Sequence, residues 1–318
     1  MNHRKDSAYT NGVIAVKEKK LLKDKLAKMC SMSEEEALRL LLDSGFGGEY
    51  SEPEELILAD EREIDLFVRE YSPSKEVEEY LLSPRDFHNA KALMKARRLG
   101  CDPTPLLGSE GKFSSAEIAK CIEAGDTQKL GKELHEAISE ASSLFEGNPS
   151  GAEVGFVFDR ALFRYLSRVL KRLGVCRKLL VRRVDMLNLL TYFRSESKEE
   201  AEQYFLEGGS LSKTKLACVF AGLDEVKKTF DKGEYREFVK KLVAAREGEK
   251  PFTEAERMLE SFETDFFSEK PYELTGQGIF LHYIFRRRAE NANVRIVFVC
   301  LKAGLSEADI KKRLRGSV

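Results

Sequence analysis

The sequence contains no tryptophan, only eight prolines among 318 residues, and no long apolar run. Because proline interrupts helix interiors, its scarcity leaves room for long helices. A transmembrane helix needs roughly 18 or more consecutive apolar residues, and no segment approaches that length. Residues 1–6 are polar, and no apolar core of a secretory signal follows them. The sequence therefore predicts a helix-rich chain that neither spans a bilayer nor enters the secretory route.

Paired cysteines and recognisable catalytic motifs are also missing. No C-x-x-C pair occurs, so free thiols in a reducing cytosol are expected, and disulfides are the less favoured interpretation. The segment 108–114 places two residues between its glycines and a phenylalanine after its lysine, which breaks the Walker pattern. The four histidines lack partners at metal-ligand spacing. We therefore expect no cofactor, no metal and no enzymatic activity.

What the sequence does contain is charge and helix-start signals. Charged residues make up 34% of the chain and apolar residues 42%, which is typical of a helical protein with solvated surfaces. Ser33-x-x-Glu36 and Ser114-x-x-Glu117 have the spacing of capping boxes. No convincing alternating strand occurs, although Val294 to Leu301 is rich enough in Val, Ile and Phe to form a buried strand. The predicted fold class is all-α.

An acid and an asparagine three residues apart recur along the chain. The copies are Asp86-x-x-Asn89, Asp185-x-x-Asn188 and Glu290-x-x-Asn293, and their asparagines are 99 and then 105 residues apart. Gly100 and Gly304 each follow an asparagine by 11 residues, as helix C-caps would. A glycine and a serine also precede the short helix predicted after each copy. The near-constant period predicts three related helical modules.

The first copy indicates the conformation of the other two. Strong helix formers follow Asn89, so the shared position is helical, and the acid and amide lie on one helix face. One interpretation is that each pair makes fixed hydrogen bonds inside its own module. The other is that the pairs face a central cavity and touch a partner. Leu190 replaces the basic residue found at Lys91 and Arg295, which makes the middle copy the least certain carrier of a shared contact.

The C-terminal segment is basic. From Arg286 onward there are nine basic and three acidic residues, a net charge of +6, so the preceding 285 residues carry −7. Nucleic acid or lipid headgroups could bind such a tail. The favoured interpretation is a helix end that complements its own dipole. Arg286, Arg287 and Arg288 point in three directions around a helix, so we expect one to pair with Glu290 or another acid and the others to reach a surface.

The residues of the C-terminal segment resemble those of a known family. The C-terminal run resembles the signature of the C subunit of V/A-type rotary ATPases, which is similar to the d subunit of the eukaryotic V-ATPase. Residues Ala8-Tyr9-x-Asn11 and the first two acid and asparagine copies stand where that family would place theirs. The run consists of Tyr283, Arg287, Glu290, Asn293, Arg295, Ile296, Lys302, Gly304, Leu305, Glu307, Ile310 and Leu314.

The resemblance implies both an architecture and a function. Three modules, at residues 1–107, 108–207 and 208–318, would form a pseudo-threefold funnel. The chain would be a non-catalytic central-stalk subunit of an ion-transporting (proton-transporting) V-type ATPase or ATP synthase. It would sit on the membrane proteolipid ring as a peripheral protein of the cytoplasmic face and receive the shaft of the central-stalk subunits D and F. Its work would be to transmit torque.

Further expectations concern partners and contact residues. The membrane stator subunit is a further candidate partner, and no nucleic acid is expected. Two rival hypotheses remain open: a helical-repeat adaptor for another protein, and an RNA-associated helical protein, which salt-dependent retention on RNA would favour. The structural or partner-contact candidates are Asp86, Asn89, Asp185, Asn188, Arg286, Arg287, Arg288, Glu290, Asn293 and Arg295.

Overall fold

The computed structural model describes residues 7–22, 24–172, 174–248 and 251–315. Within those ranges the chain is all-α, with no strand, as the sequence predicts. Among the described helices none is long and apolar enough to cross a membrane. Two compact units divide the chain: Met1–Val77 with Glu260–Val318, and Glu78–Leu259.

The first unit contains helices from both ends of the sequence, whereas the second is continuous. Helices α5 and α15 each cross a unit boundary. In chain order the helices are α1 Ser7–Lys17, α2 Asp24–Met29, α3 Glu34–Asp43, α4 Pro53–Tyr71, α5 Lys75–Leu99, α6 Ser115–Ala124, α7 Lys132–Leu144, α8 Gly151–Val169, α9 Gly174–Arg194, α10 Lys198–Gln203, α11 Lys213–Leu216, α12 Cys218–Ala221, α13 Leu223–Thr229, α14 Arg236–Arg246, α15 Thr253–Glu269, α16 Gln277–Lys302 and α17 Glu307–Lys311.

The core of the first unit joins the N-terminal helices to the C-terminal one. Met29 of α2 and Leu41 of α3 are fully buried against Val294 and Val297 of α16. Helix α4 packs along α16, and the segment that includes Val294 to Leu301 is therefore helical rather than a strand. Its residues Val294 and Val297 fill the space between helices, where they lose their contacts with water, whereas Val299 is exposed.

The second unit begins with a core around α5. Phe87 and Met94 of α5 pack with Ile118 of α6, Ala137 of α7 and Phe158 of α8. Further along this unit, α9 contacts α8, α10 and α14. Each helix that carries an acid and asparagine pair therefore packs against several other helices.

The predicted helix starts and ends that depend only on neighbouring residues are confirmed. Both predicted capping boxes are present with reciprocal hydrogen bonds, at Ser33 with Glu36 and at Ser114 with Glu117. Gly304 has φ +69°, as expected for a glycine that ends a helix.

Two sequence predictions about helix ends are wrong. Pro84 is predicted in the first turn of its helix, yet α5 starts at Lys75 and runs through Pro84. Fully buried packing of Val77 and Leu82 on the preceding turns holds the helix together despite the lost amide donor. Residues 11–28 are predicted as one helix, yet α1 and α2 are separate, and the break exposes the Leu22 amide to Glu290.

Candidate functional site: three buried acid and asparagine pairs

The second and third asparagines each form two hydrogen bonds with the backbone of one residue that is distant in sequence. Asn188 accepts from the Leu206 amide and donates to the Leu206 carbonyl, both at 2.8 Å. Asn293 does the same with Arg315, at 2.8 and 3.0 Å. Both side chains are almost completely buried. Since the side-chain amide matches both groups of the peptide, each asparagine fixes one point of the following loop to its helix.

The first asparagine uses two adjacent residues of one loop. Asn89 accepts from the Gly108 amide at 2.9 Å and donates to the Ser109 carbonyl at 3.3 Å. Its neighbour His88 places Nε2 3.1 Å from the Leu106 carbonyl. His88 therefore belongs to the same loop attachment.

Asp185 is a fully buried carboxylate with four hydrogen-bond donors. The Ser210 amide and the Leu211 amide donate at 2.8 and 2.9 Å. The Ser210 and Tyr235 hydroxyls donate at 2.6 and 2.7 Å. Burial, followed by the hydrogen bond to this carboxylate, raises the pKa of Tyr235 well above its usual value. A charge buried this deeply is tolerated because its oxygens are hydrogen-bonded.

Asp86 holds the corresponding loop with fewer donors. It accepts from the Lys112 and Phe113 amides at 3.2 and 3.1 Å. Burial raises the pKa of the Asp86 carboxyl to about 6, although the two amides and the Lys112 ammonium oppose the shift. Both aspartates therefore fasten the loop that precedes a following helix, and Asp185 does so with more donors than Asp86.

The backbone of a glycine closely approaches the carboxylate of each of the two aspartates. A Cβ atom at Gly111 would lie 2.3 Å from Asp86 Oδ1, and one at Gly209 would lie 2.2 Å from Asp185 Oδ1. This close approach explains why a glycine precedes the serine of the next helix in these two copies. The sequence pattern groups Gly304 with them, but among the described residues no atom lies within 4 Å of its ideal Cβ. Gly304 is instead the counterpart of the helix-ending Gly100, which has φ +63°.

The third acid takes its partner from the other end of the chain. Glu290 Oε1 accepts from the Leu22 amide at 2.9 Å, across 268 residues of sequence. Leu22 directly precedes the region of α2, just as the loops held by the aspartates precede α6 and α11. The N-terminal segment thus does for α16 what the following loop does for α5 and α9. No local pattern in the sequence signals this pairing.

These contacts lie inside one compact unit each, but the first interpretation, bonding inside the pair's own module, does not describe all of them. Asp86 bonds to Phe113, Asp185 to Ser210 and Glu290 to Leu22, and each of these partners lies outside the predicted module of the acid. The acceptors are occupied by backbone and hydroxyl donors, so the arrangement fastens loops to helices. Over the described ranges no group of His, Cys, Asp and Glu side chains could hold a metal ion. Contact between these pairs and a partner protein stays a prediction.

The three consecutive arginines are all partly buried, and the Arg286 side chain keeps 29% of its surface exposed. Arg287 forms an ion pair with Asp60 of α4, and their side chains are only 13% and 4% exposed. Arg287 also donates to the Tyr283 hydroxyl at 2.8 Å. Arg286 lies 3.8 Å from Glu18. Arg287 therefore pairs with an acid other than Glu290, namely Asp60 of α4.

Loss of the Arg287 cation is expected to destabilise the first unit. Arg287→Met leaves the Asp60 carboxylate buried, where burial already raises its pKa. We expect the free energy of unfolding to fall by about 3 kcal/mol, because one partner of a buried pair is removed. Arg286→Met, at the longer and more exposed pair, should cost less than about 1 kcal/mol. Urea denaturation of both variants measures the difference, and equal losses would contradict the assignment.

The basic residue that follows the asparagine by two positions also has a defined role. Lys91 pairs with Asp159 of α8 at 2.9 Å, and Arg295 pairs with Glu54 of α4 at 2.7 Å. In each case an ion pair joins a repeat helix to a long neighbouring helix. In the middle copy, where Leu190 stands at this position, α9 reaches α15 through an ion pair further along the helix. That pair joins Arg194 to Glu256 at 2.6 Å.

Three further cations of the C-terminal segment form ion pairs as well. Lys311 lies 2.5 Å from Glu307, and Lys312 lies 3.5 Å from Asp309. Arg315 contacts Glu260 at 3.0 Å. These pairs agree with the interpretation that the tail complements its own helices, and they reduce the charge left for nucleic acid.

Burial of Asp86 predicts a pH dependence of stability. Because its folded pKa is raised from 3.8 to about 6, the folded state holds more protons than the unfolded state between those values. Stability should therefore fall by on the order of 2–3 kcal/mol as pH rises from about 4 to 6, and this contribution should be constant above that. Urea denaturation of the protein and of Asp86→Asn at each pH isolates the contribution of Asp86 to the free energy of unfolding. If the free energy of unfolding depends on pH in the same way in both proteins, the burial effect is contradicted.

The fold and the site define an all-helical chain whose repeated polar clusters fasten loops to long helices. Fully hydrogen-bonded clusters of this kind make a core rigid and specify one arrangement of it. A family model for the ATP synthase (C/AC39) subunit matches residues 10–313. The chain belongs to this family, whose members are subunits of V/A-type ATPases, and the resemblance drawn from the sequence is confirmed. No curated protein matched the chain.

Proposed function

We propose that the chain is the non-catalytic central-stalk subunit that links the D–F rotor shaft to the membrane proteolipid ring. It would transmit torque between the soluble ATPase head and ion movement, including proton transport, in the membrane. The observation that carries the proposal is the family match over residues 10–313. The membrane stator subunit is a further candidate partner, and the site of action is the cytoplasmic face of the membrane, where the chain would be peripheral.

The buried pairs support a mechanical role. A part that transmits torque must resist deformation, and each repeat helix is tied to other segments of the chain by a bidentate asparagine and a buried acid. Breaking one such attachment leaves buried donors without acceptors, which makes partial opening costly. The pairs would therefore stiffen the subunit rather than contact the shaft themselves.

Three sets of two consecutive long helices begin at similar intervals along the chain, which supports the division into three modules. The pairs are α4 with α5, α8 with α9 and α15 with α16, and each second helix carries one acid and asparagine copy. The N-terminal helices complete the packing of α16. The boundaries at residues 107 and 207 and the pseudo-threefold funnel stay predictions.

The proposal is tested by binding to the purified shaft. The full chain should retain the D–F heterodimer in a pull-down at both low and moderate salt, whereas the isolated F protein serves as the control for non-specific capture. The purified chain should also show no ATP hydrolysis. Absence of D–F association in both salts would contradict the proposal and favour the helical-repeat adaptor. Retention on RNA that weakens steeply with salt would favour the RNA-associated alternative.

A further inference from the structure

The end of α8 and the start of α9 carry an unbroken series of positive charges. Residues 160–183 contain nine lysines and arginines and no acid. Arg164 lies on α8, and Lys171 and Arg172 directly follow that helix. All three residues are exposed, so this end of the second unit presents several cations to solvent.

A fourth cation, Arg177 of α9, lies beside them. Its guanidinium donates to the Ser167 hydroxyl at 3.2 Å and to the Gly208 carbonyl at 3.3 Å. Ser167 precedes Lys171 by about one helical turn, so the Arg177 cation lies against the end of α8. We define the basic tip as Arg164, Lys171, Arg172 and Arg177.

The acids near the basic tip do not neutralise it. Two acids of α7 form ion pairs with two other arginines of α8, Glu133 with Arg168 and Glu140 with Arg160. Glu136 lines the same groove as Arg164, but its ion pair is with Lys132 at 3.9 Å. In the part of the chain that the structure describes, no carboxylate lies within 4 Å of a cationic nitrogen of the tip. The tip therefore keeps its positive charge.

This arrangement is unfavourable for the chain alone. Like charges that lie close together repel one another. Arg177 also lies in the first turn of α9, where a cation opposes the helix dipole. An anionic partner would relieve both effects.

The surroundings of the tip favour a lipid surface over a protein as that partner. Protein interfaces take most of their affinity from buried aromatic and apolar anchors. Among the described residues from 107 to 271, no large apolar side chain is exposed. Lipid headgroups need no such anchor, because each Lys or Arg near an anionic leaflet attracts it independently. The chain also belongs to a family whose members are subunits of a membrane ATPase.

We propose that the basic tip binds the anionic phospholipid headgroups of the membrane on which the chain is peripheral, an inference that rests on the proposed function. Phosphate oxygens of the headgroups accept hydrogen bonds from the guanidinium and ammonium groups of the tip. Because no exposed large apolar side chain accompanies these cations, the contact is electrostatic, reversible and weakened by salt. Such a contact lets the subunit turn above the bilayer, because no single headgroup is held permanently.

Vesicle sedimentation with the full-length chain tests the proposal. The probes are vesicles of equal parts phosphatidylglycerol and phosphatidylcholine, and vesicles of phosphatidylcholine alone, both without the proteolipid ring. The chain should sediment with the anionic vesicles only. Arg164→Gln, Lys171→Gln and Arg172→Gln combined should lower the partition coefficient about a hundredfold, since each cation contributes about fivefold. Equal binding to both kinds of vesicle, or binding to neither, would overturn the proposal.

The matched control removes three cations elsewhere. Arg39→Gln, Lys240→Gln and Lys312→Gln combined change the net charge equally, at side chains that are 71%, 54% and 75% exposed. This variant should bind anionic vesicles within about twofold of the unmodified chain, because salt screens charges that lie more than about 8–10 Å from the bound surface. A loss as large as that of the tip variant would overturn the proposal, since net charge alone would explain it.

Retention of D–F and of duplex RNA separates the other partners from lipid. The tip variant should retain D–F as the unmodified chain does. If it loses D–F or RNA while its vesicle binding is unchanged, the tip binds protein or nucleic acid, and the lipid proposal is overturned. If the unmodified chain fails to retain D–F but shows the expected vesicle binding, the proposed function falls and the lipid contact stands. If circular dichroism shows that the triple variant does not fold, Lys171→Gln alone decides, with an expected loss of about fivefold.

Discussion

Replacing Asp185 by alanine is expected to lower the free energy of unfolding by about 3–5 kcal/mol. The carboxylate is fully buried, and its loss leaves the Ser210 and Leu211 amides and the Tyr235 hydroxyl without their acceptor. A buried donor without an acceptor costs about 1–3 kcal/mol, and several are created at once. Urea denaturation followed by circular dichroism measures the change.

Glu54→Ala is the matched control for that experiment. Glu54 is also an acid that holds a repeat helix, through Arg295, but its side chain is 59% exposed. An exposed ion pair contributes about 1 kcal/mol or less. If Asp185→Ala costs no more than Glu54→Ala, the second acid and asparagine pair is not a main attachment point of the second unit.

Replacing Gly111 by alanine is expected to cost about 2–4 kcal/mol. The added methyl group would lie 2.3 Å from Asp86 Oδ1 and 2.8 Å from the Leu82 carbonyl. Neither neighbour moves freely, because the carboxylate is hydrogen-bonded to the loop and the carbonyl belongs to α5. The loop must therefore move away, and its hydrogen bonds to Asp86 lengthen. The free energy of unfolding and the hydrogen-exchange rate of the Lys112 and Phe113 amides measure this displacement.

Gly12→Ala provides a control with the opposite expected sign. Gly12 lies within α1, and among the described residues no atom is within 4 Å of its ideal Cβ. Alanine favours the helix over glycine, so this variant should gain about 0.5–1 kcal/mol. A loss at Gly12 as large as that at Gly111 would show that the cost does not come from crowding against Asp86.

The sequence predicts those features that depend on nearby residues. Capping boxes at Ser33 and Ser114 need only residues within one turn, so they form as their spacing indicates. The repeated acid and asparagine pairs could also be found, because three copies at similar spacing make a pattern. Their partners could not be found, because the same carboxylate could bond to many loops until the helices are packed.

Long-range packing decides the rest. The pairing of Glu290 with Leu22 requires the two chain ends to share one unit, which no local pattern encodes. The choice of Asp60 as partner of Arg287 likewise depends on how α4 packs along α16. Pro84 shows the same limit, because its buried surroundings override the usual tendency of proline to end a helix.

The central functional claim is that this chain joins the rotor shaft to the membrane ring. The most direct measurement is the amount of purified D–F heterodimer retained by membranes that contain the proteolipid ring but lack this protein, before and after the purified chain is added back. The proposed function predicts that D–F is retained only when the chain is present, in proportion to the chain bound. Equal retention without the chain, or binding of the chain to the membranes without recruitment of D–F, would contradict it.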